Sequence, residues 1–235
     1  KKTVYNEDVL TSLTSLKPKL NFPVGTHFSY CNTNYVLLAM IVEKVTGLSF
    51  ATYMKTNFFD PLQMKNTFVY TPADSGRVTL SYYTNGRVWK NDILDGTYGD
   101  KNIYSTPRDL LKWDQALYDG KLFKQSTFDS AYKGYSFERP SIHNYGLGWR
   151  LMLFPNGKKV IYHNGWWHGF NAAFGRLTDE KATIIILGNK RNENIYSARL
   201  LYNMFGDYMQ QEMLPPETAL ELHGEKNEAY RRVKK

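Results

Sequence analysis

The chain has 235 residues, 30 Lys plus Arg against 22 Asp plus Glu, and a formal net charge of +8. Its 42% hydrophobic and 22% charged content exclude a disordered or collagen-like polymer, and no apolar run reaches the ~20 residues that span a bilayer. The single cysteine, Cys31, excludes an internal disulfide framework and a cysteine-rich zinc site. A basic balance points to nucleic acid or an anionic surface as a partner. Here the basic residues are dispersed, with the densest cluster at Arg231-Arg232-Val233-Lys234-Lys235, so no nucleic-acid partner is expected.

The chain opens on Lys1-Lys2-Thr3, with no Met and no signal peptide, which reads as a cut into a longer sequence. Val9, Leu10, Leu13 and Leu16 give residues 1–20 a weak helical period, and Pro23-Val24-Gly25-Thr26 reads as a turn. A strong helix follows: Asn32-Thr33-Asn34 offers capping oxygens, Tyr35 to Val45 supply a broad apolar face, and Gly47 stops it. Ser49 caps a further helix through Phe58, ending before Asp60-Pro61. Residues 66–104 are loop-rich, with short strands predicted at 77–83 and 87–90 around an Asn85-Gly86 turn. Thr106-Pro107-Arg108-Asp109 is a helix start, with Asp109 set at its positive end, and a short helix is predicted over 125–132.

From about residue 144 the period changes to alternation. Strands are predicted at 145–153, 159–163, 171–177 and 183–187, with Asn156-Gly157 and Asp179-Glu180 in turns, then a helix over 193–208. Sequential strands joined by short turns imply an antiparallel sheet, so the fold class is α+β. The organisation expected is one domain over 1–215, with a mainly helical lobe to about 140, a sheet with closing helix over 141–210, and a polar basic tail at 216–235.

Two segments carry chemistry. In Tyr30-Cys31-Asn32, an extended backbone sends Tyr30 and Asn32 to one side and Cys31 to the other. A phenol can relay a proton, and a carboxamide can hold a substrate amide through donor and acceptor together. In His163-Asn164-Gly165-Trp166, an imidazole precedes a glycine that lets a ligand backbone approach closely, and the Trp166 amide can face a developing oxyanion. Trp166 and Trp167 either line a cleft or cover the core. His163 and His168 face opposite sides of an extended segment and have no visible carboxylate partner, so no metal is expected. Ser49, in Gly47-Leu48-Ser49-Phe50-Ala51, reads as a cap rather than a nucleophile.

Pro-x-Gly-Thr-x-Phe-x-Tyr-x-Asn-x-x-Tyr, leading into a helix that ends Lys44-Val45-Thr46-Gly47, resembles the serine β-lactamase and DD-peptidase (penicillin-binding protein) superfamily, in its class C-like branch. Tyr-x-Asn itself occurs three times, at Tyr30, Tyr83 and Tyr162, so the context of the first carries the resemblance. Phe59–Thr67, Gly99–Leu110 and His163-Asn164-Gly165 follow in the family's order, and the likeness runs from about Phe22 to about Tyr208. The third motif has His163 where many relatives have Lys, and His168-Gly169-Phe170 stands where the family often has Pro-Gly-Phe.

The resemblance implies a β-lactamase/transpeptidase-like fold and acyl-enzyme chemistry without a cofactor, on a small D-amino-acid peptide, ester or β-lactam. It assigns Tyr30 to proton relay, Asn32 to the substrate amide, His163 to support of Tyr30 or of the substrate's polar end, and Gly165 with Trp166 to the oxyanion strand. Periplasmic or secreted location goes with it. The family's nucleophile motif, Ser-x-x-Lys, does not occur before Tyr30. The one match, Ser130-Ala131-Tyr132-Lys133, lies on the wrong side of Tyr-x-Asn and is set aside. The nucleophile is either on a removed N-terminal segment or lost. Loss leaves a non-catalytic relative that binds peptide or cell-wall fragments. Removal leaves an apolar sheet edge that the missing segment or another chain covers.

Overall fold

The computed structural model describes residues 2–120, 122–137 and 141–208. Helix α1 (Asn6–Leu16) is tied down by its first residue. Asn6 is fully buried, donates to the Tyr98 carbonyl and accepts from the Tyr98 amide. Helix α2 (Asn32–Thr46) ends at Gly47, whose φ of 70° lets its amide reach back to the Glu43 carbonyl. Its N-cap is Cys31, without a side-chain bond, rather than one of the asparagines. Helix α3 (Phe50–Met54) is capped by Ser49 as expected and runs on as a π turn over Lys55–Phe59. Phe59, Met64 and Val69 are buried there, packed against Phe50, Met54, Phe58 and Trp113.

The strands predicted at 77–83 and 87–90 do not form. Only isolated bridges from Tyr82 to Val88 and Lys190 remain around the Asn85-Gly86 turn. Regular pairing in this stretch is instead a two-residue ladder, β1 (Phe68–Val69) with β2 (Ile103–Tyr104). Helix α4 (Pro107–Tyr118) starts at Thr106, as its sequence demands. Asp109 does more than face the helix end: its buried carboxylate accepts from the Asn66 amide and the Thr67 hydroxyl, and it pairs with Lys112. Helix α5 covers Gln125–Ala131.

The sheet is a five-stranded antiparallel meander, in the order β3 (His143–Tyr145), β4 (Arg150–Leu153), β5 (Lys159–Trp167), β6 (Phe170–Leu177) and β7 (Ala182–Gly188). The single strand predicted at 145–153 is two strands folded on each other, with Tyr145 opposite Arg150. Gly146 and Gly148 turn the chain, with Gly148 at φ +77° and the Gly146 amide on the Trp149 carbonyl. Strand β5 runs four residues beyond its expected end at His163, because β6 pairs it through Trp167. The closing segment Glu193–Met204 is a 3-10 helix, shorter and more tightly wound than the helix predicted to residue 208. The expected tail at 216–235 and the domain end at 215 lie outside the described residues.

One sheet face packs Met152, Val160, Tyr162 and Leu177 against Tyr202 and Tyr208. The other face carries a buried ion pair between Arg176 on β6 and Asp114 on α4. Thr183 donates to the second Asp114 oxygen at 2.7 Å, and Arg176 also donates to the Tyr132 hydroxyl at 2.5 Å. Among the described strands, β7, rich in isoleucine, pairs only with β6. On α2, Leu38, Ile41 and Val45, followed by Leu48, make an exposed stripe at alternating three- and four-residue spacing.

Removing one partner of a buried pair leaves an uncompensated charge. Asp114→Ala is expected to destabilise the protein by about 3–5 kcal/mol, read as a fall in the urea midpoint. A loss under about 1 kcal/mol would show that Arg176 finds another counter-ion.

Candidate active site

Three elements meet at one hydroxyl. Tyr145, the last residue of β3, is buried, and its hydroxyl lies 3.1 Å from His163 Nε2 on β5 and 3.3 Å from the Tyr35 hydroxyl on α2. The polarity of this chain follows from its far end. His163 Nδ1 is 2.7 Å from the Asn164 carbonyl, which can only accept, so Nδ1 carries the proton. Nε2 of the neutral ring is then an acceptor: Tyr145 donates to it, and Tyr35 donates to Tyr145.

Tyr30 joins this group by its ring. Its centroid lies 6.1 Å from that of His163 and 5.8 Å, edge-on, from that of Tyr145. Phe28 stacks on the Tyr145 ring, with the centroids 4.9 Å apart. The positive charge comes from Arg150, the first residue of β4. Its guanidinium carbon sits 5.3 Å from the Tyr30 centroid and 5.9 Å from that of Tyr145.

The expected residues are placed as follows. Tyr30 and His163 come together. Asn32 is exposed at the first position of α2, and no hydrogen bond of its side chain is found among the described residues. Gly165 lies two residues beyond His163, opposite Ala172, and its carbonyl accepts from Tyr196 at 3.0 Å. A Cβ at Gly165 would lie 3.3 Å from that of Ala172, a tight fit. The Trp166 indole is committed to the hairpin: its Nε1 donates to the His168 carbonyl, and Arg191 rests on its ring at 5.3 Å. Ser130 is exposed on α5, with its hydroxyl turned back to the Ser126 carbonyl.

Tyr145, Tyr35 and Arg150 were missed by sequence reasoning. Tyr145 and Arg150 fell inside what looked like one continuous strand, and only the glycines at 146 and 148 signalled the turn that sets them face to face. His168 also corrects an expectation, because it has a carboxylate partner: its Nε2 is 2.7 Å from Asp95 Oδ1. Asp95 also accepts from Trp167 Nε1 at 2.8 Å. Burial raises the Asp95 pKa, but the bonds from His168, the Asp92 amide and Trp167 outweigh it and hold the carboxyl below the usual range. No cluster of three metal-ligating side chains occurs among the described residues.

His168 has φ +54°, a left-handed conformation that proline's ring, fixed near −65°, cannot adopt. The departure from Pro-Gly-Phe therefore changes the turn itself. Gly169 is required by contact, since a Cβ there would lie 2.3 Å from the Tyr82 carbonyl oxygen.

Burial pushes the His163 pKa from 6.5 down to about 4, and the neighbouring Arg150 charge adds to the fall, against the bond to the Asn164 carbonyl. Burial, followed by the bond with Tyr35, pushes the Tyr145 hydroxyl above its ordinary value, so it stays a donor. Between pH 6.5 and about 4 the unfolded chain binds more protons at His163 than the folded one does. The stability due to this residue is whole above 6.5 and drains away as pH falls towards 4. An NMR titration of the His163 ring is expected to show a midpoint near 4, and His163→Gln is expected to flatten the pH dependence of unfolding in that window. A midpoint at 6 or above would contradict the neutral assignment.

The family model described as Beta-lactamase matches residues 4–207. Penicillin-binding protein 4* of Bacillus subtilis is 30% identical over 217 residues, covering 85% of this chain and 48% of that protein. A D-aminopeptidase of Cereibacter sphaeroides is 26% identical over 80% of this chain and 36% of its own length, so the chain spans half or less of these relatives. Among solved structures, a penicillin-binding protein homologue from Pyrococcus abyssi superposes with TM-score 0.74 at 20% identity, over 88% of this chain and 49% of that one. D-amino acid amidase from Ochrobactrum anthropi does so with TM-score 0.67 at 24% identity, over 86% and 70%. With a matching family model over most of its length and a β-lactamase/transpeptidase-like fold, the chain belongs to the β-lactamase family, within the serine β-lactamase and DD-peptidase superfamily.

Proposed function

We propose that the chain is the C-terminal portion of a serine hydrolase that works through an acyl-enzyme on a D-amino-acid peptide, ester or β-lactam, with the nucleophilic serine and its lysine on polypeptide outside the chain. The observation that carries this reading is the convergence of Tyr30, Tyr145, His163 and Arg150 from the segment before α2 and from strands β3, β5 and β4. Support for the substrate class comes from relatives named as penicillin-binding proteins, D-aminopeptidases and a teichoic acid D-alanine hydrolase of Staphylococcus aureus. Those names also favour a secreted or periplasmic location. No single described helix is long and apolar enough to cross a membrane.

In this scheme the serine oxygen attacks the substrate carbonyl, and Tyr30 relays its proton to the leaving group. Asn32 holds the substrate amide from the start of α2. The Trp166 amide, beside Gly165, faces the oxyanion of the tetrahedral intermediate. Water then releases the acyl group, with the proton returning by the same route. His163, neutral at pH 7, gives no fixed charge. Its part is to hold Tyr145 and border Tyr30, while Arg150 supplies the positive field over the Tyr30 ring. The exposed stripe of α2 and the open edge of β7 are where the polypeptide carrying Ser-x-x-Lys docks.

The purified chain alone is expected to take no label from a fluorophosphonate or benzylpenicillin. Joined to a segment bearing Ser-x-x-Lys, it is expected to be acylated at that serine, and Tyr30→Phe to slow acylation by about 10²–10⁴. Label on Ser130 would contradict the scheme. Binding of a cell-wall peptide without acylation of any form would establish the alternative, a non-catalytic relative.

A further inference from the structure

Both nitrogens of the His163 ring are committed. Nδ1 holds its proton against the Asn164 carbonyl at 2.7 Å, and Nε2 receives the Tyr145 hydroxyl at 3.1 Å. A neutral imidazole has a single in-plane lone pair. With that pair turned to Tyr145, the ring can take a second proton only by breaking or reversing the Tyr145 bond. Tyr30 meets the same imidazole ring to ring, with the centroids 6.1 Å apart.

Tyr145 is in turn held in this direction. It is buried, the Tyr35 hydroxyl lies 3.3 Å from its own, and Phe28 stacks on its ring. Its backbone is fixed as well. The Tyr135 amide donates to the Tyr145 carbonyl at 2.9 Å, and Gly146, the next residue, lies too close to the Ala131 carbonyl oxygen for any Cβ. Turning the hydroxyl away strips Nε2 of its donor and Tyr35 of its acceptor together, in a site where water replaces neither easily.

Few charged or titratable groups face the imidazole. Tyr30 comes from the segment before α2, Tyr145 from β3 and Arg150 from β4, while Phe174, the cross-strand partner on β6, is apolar. Arg150 opposes a second positive charge, and no carboxylate hydrogen-bonds to the ring among the described residues.

We infer that Tyr145 is a positioning residue: by occupying Nε2 it withdraws His163 from proton transfer, so that of the two rings only Tyr30 moves protons in the cleft. The inference rests on the acyl-transfer reading of the same cleft and goes beyond it. An imidazole with a free nitrogen beside Tyr30 is a second base, and it makes the rate follow its own titration. Bound as it is here, the ring serves as scaffold, and the proton of the attacking serine has one route.

Tyr145→Phe keeps the buried ring and its stack on Phe28 and removes only the oxygen. In the full chain, NMR of the histidine ring nitrogens is expected to show Nε2 of His163 unprotonated and accepting a hydrogen bond at about pH 7. In Tyr145→Phe the His163 midpoint is expected to rise from about 4 by about one pH unit, with the circular dichroism unchanged. Joined to the segment bearing Ser-x-x-Lys, the parent is expected to react with a fluorophosphonate at a rate with no inflection from His163, and Tyr145→Phe at a rate that inflects at its raised midpoint. A midpoint that stays where it was in Tyr145→Phe removes the assignment of Tyr145 and leaves the hydrolase reading intact, and so does a raised midpoint without an inflection in the rate. A raised midpoint in a joined protein that takes no label removes the hydrolase reading and leaves the hold of Tyr145 on the imidazole standing.

Discussion

The site depends on the tyrosine hydroxyl at position 145. It touches both the helical part, through Tyr35, and the central strand of the sheet, through His163. Each bond is ordinary in length, but both are directional, and the fixed proton on His163 Nδ1 leaves only one way for them to run. Orientation is therefore passed from the Asn164 carbonyl through an imidazole and two phenols to α2, the helix that Tyr30 immediately precedes.

That chain also sets the electrostatics. A buried imidazole beside a guanidinium stays neutral, so the third motif in this protein supplies shape and hydrogen bonding rather than charge. The charge sits instead one strand over, on Arg150, where it faces the flat side of the phenols. Moving the cation in this way changes what the cleft can attract. A planar fork aimed from β4 differs in reach and direction from a flexible ammonium on β5.

Much of the fold could be read from the sequence because local chemistry and packing agree there. The Gly47 stop, the Ser49 and Thr106 caps and the alternation from Lys159 to Leu187 each gave a correct element. The failures lie where tertiary contact overrides pattern. The alternating run from Tyr145 to Leu153 hides a turn, because the small residues that make it keep the period. The strands around Asn85 lack a partner along most of their length and remain bridges. Motif order singles out Tyr30 and His163, and their ring centroids lie 6.1 Å apart across the fold. Arg150, Tyr145 and Asp95 lie far in sequence from the groups they touch, and no local spacing announces such pairs.

Asp95 ties the loop from residue 92 to 104 to the turn between β5 and β6, gripping His168 and Trp167 at once while its own backbone holds Asn102. Both walls at that end of the cleft are thus one piece. Any opening at that end must break the bonds of Asp95 to Trp167, His168 and Asn102 together, so the loop and the hairpin move as one or not at all.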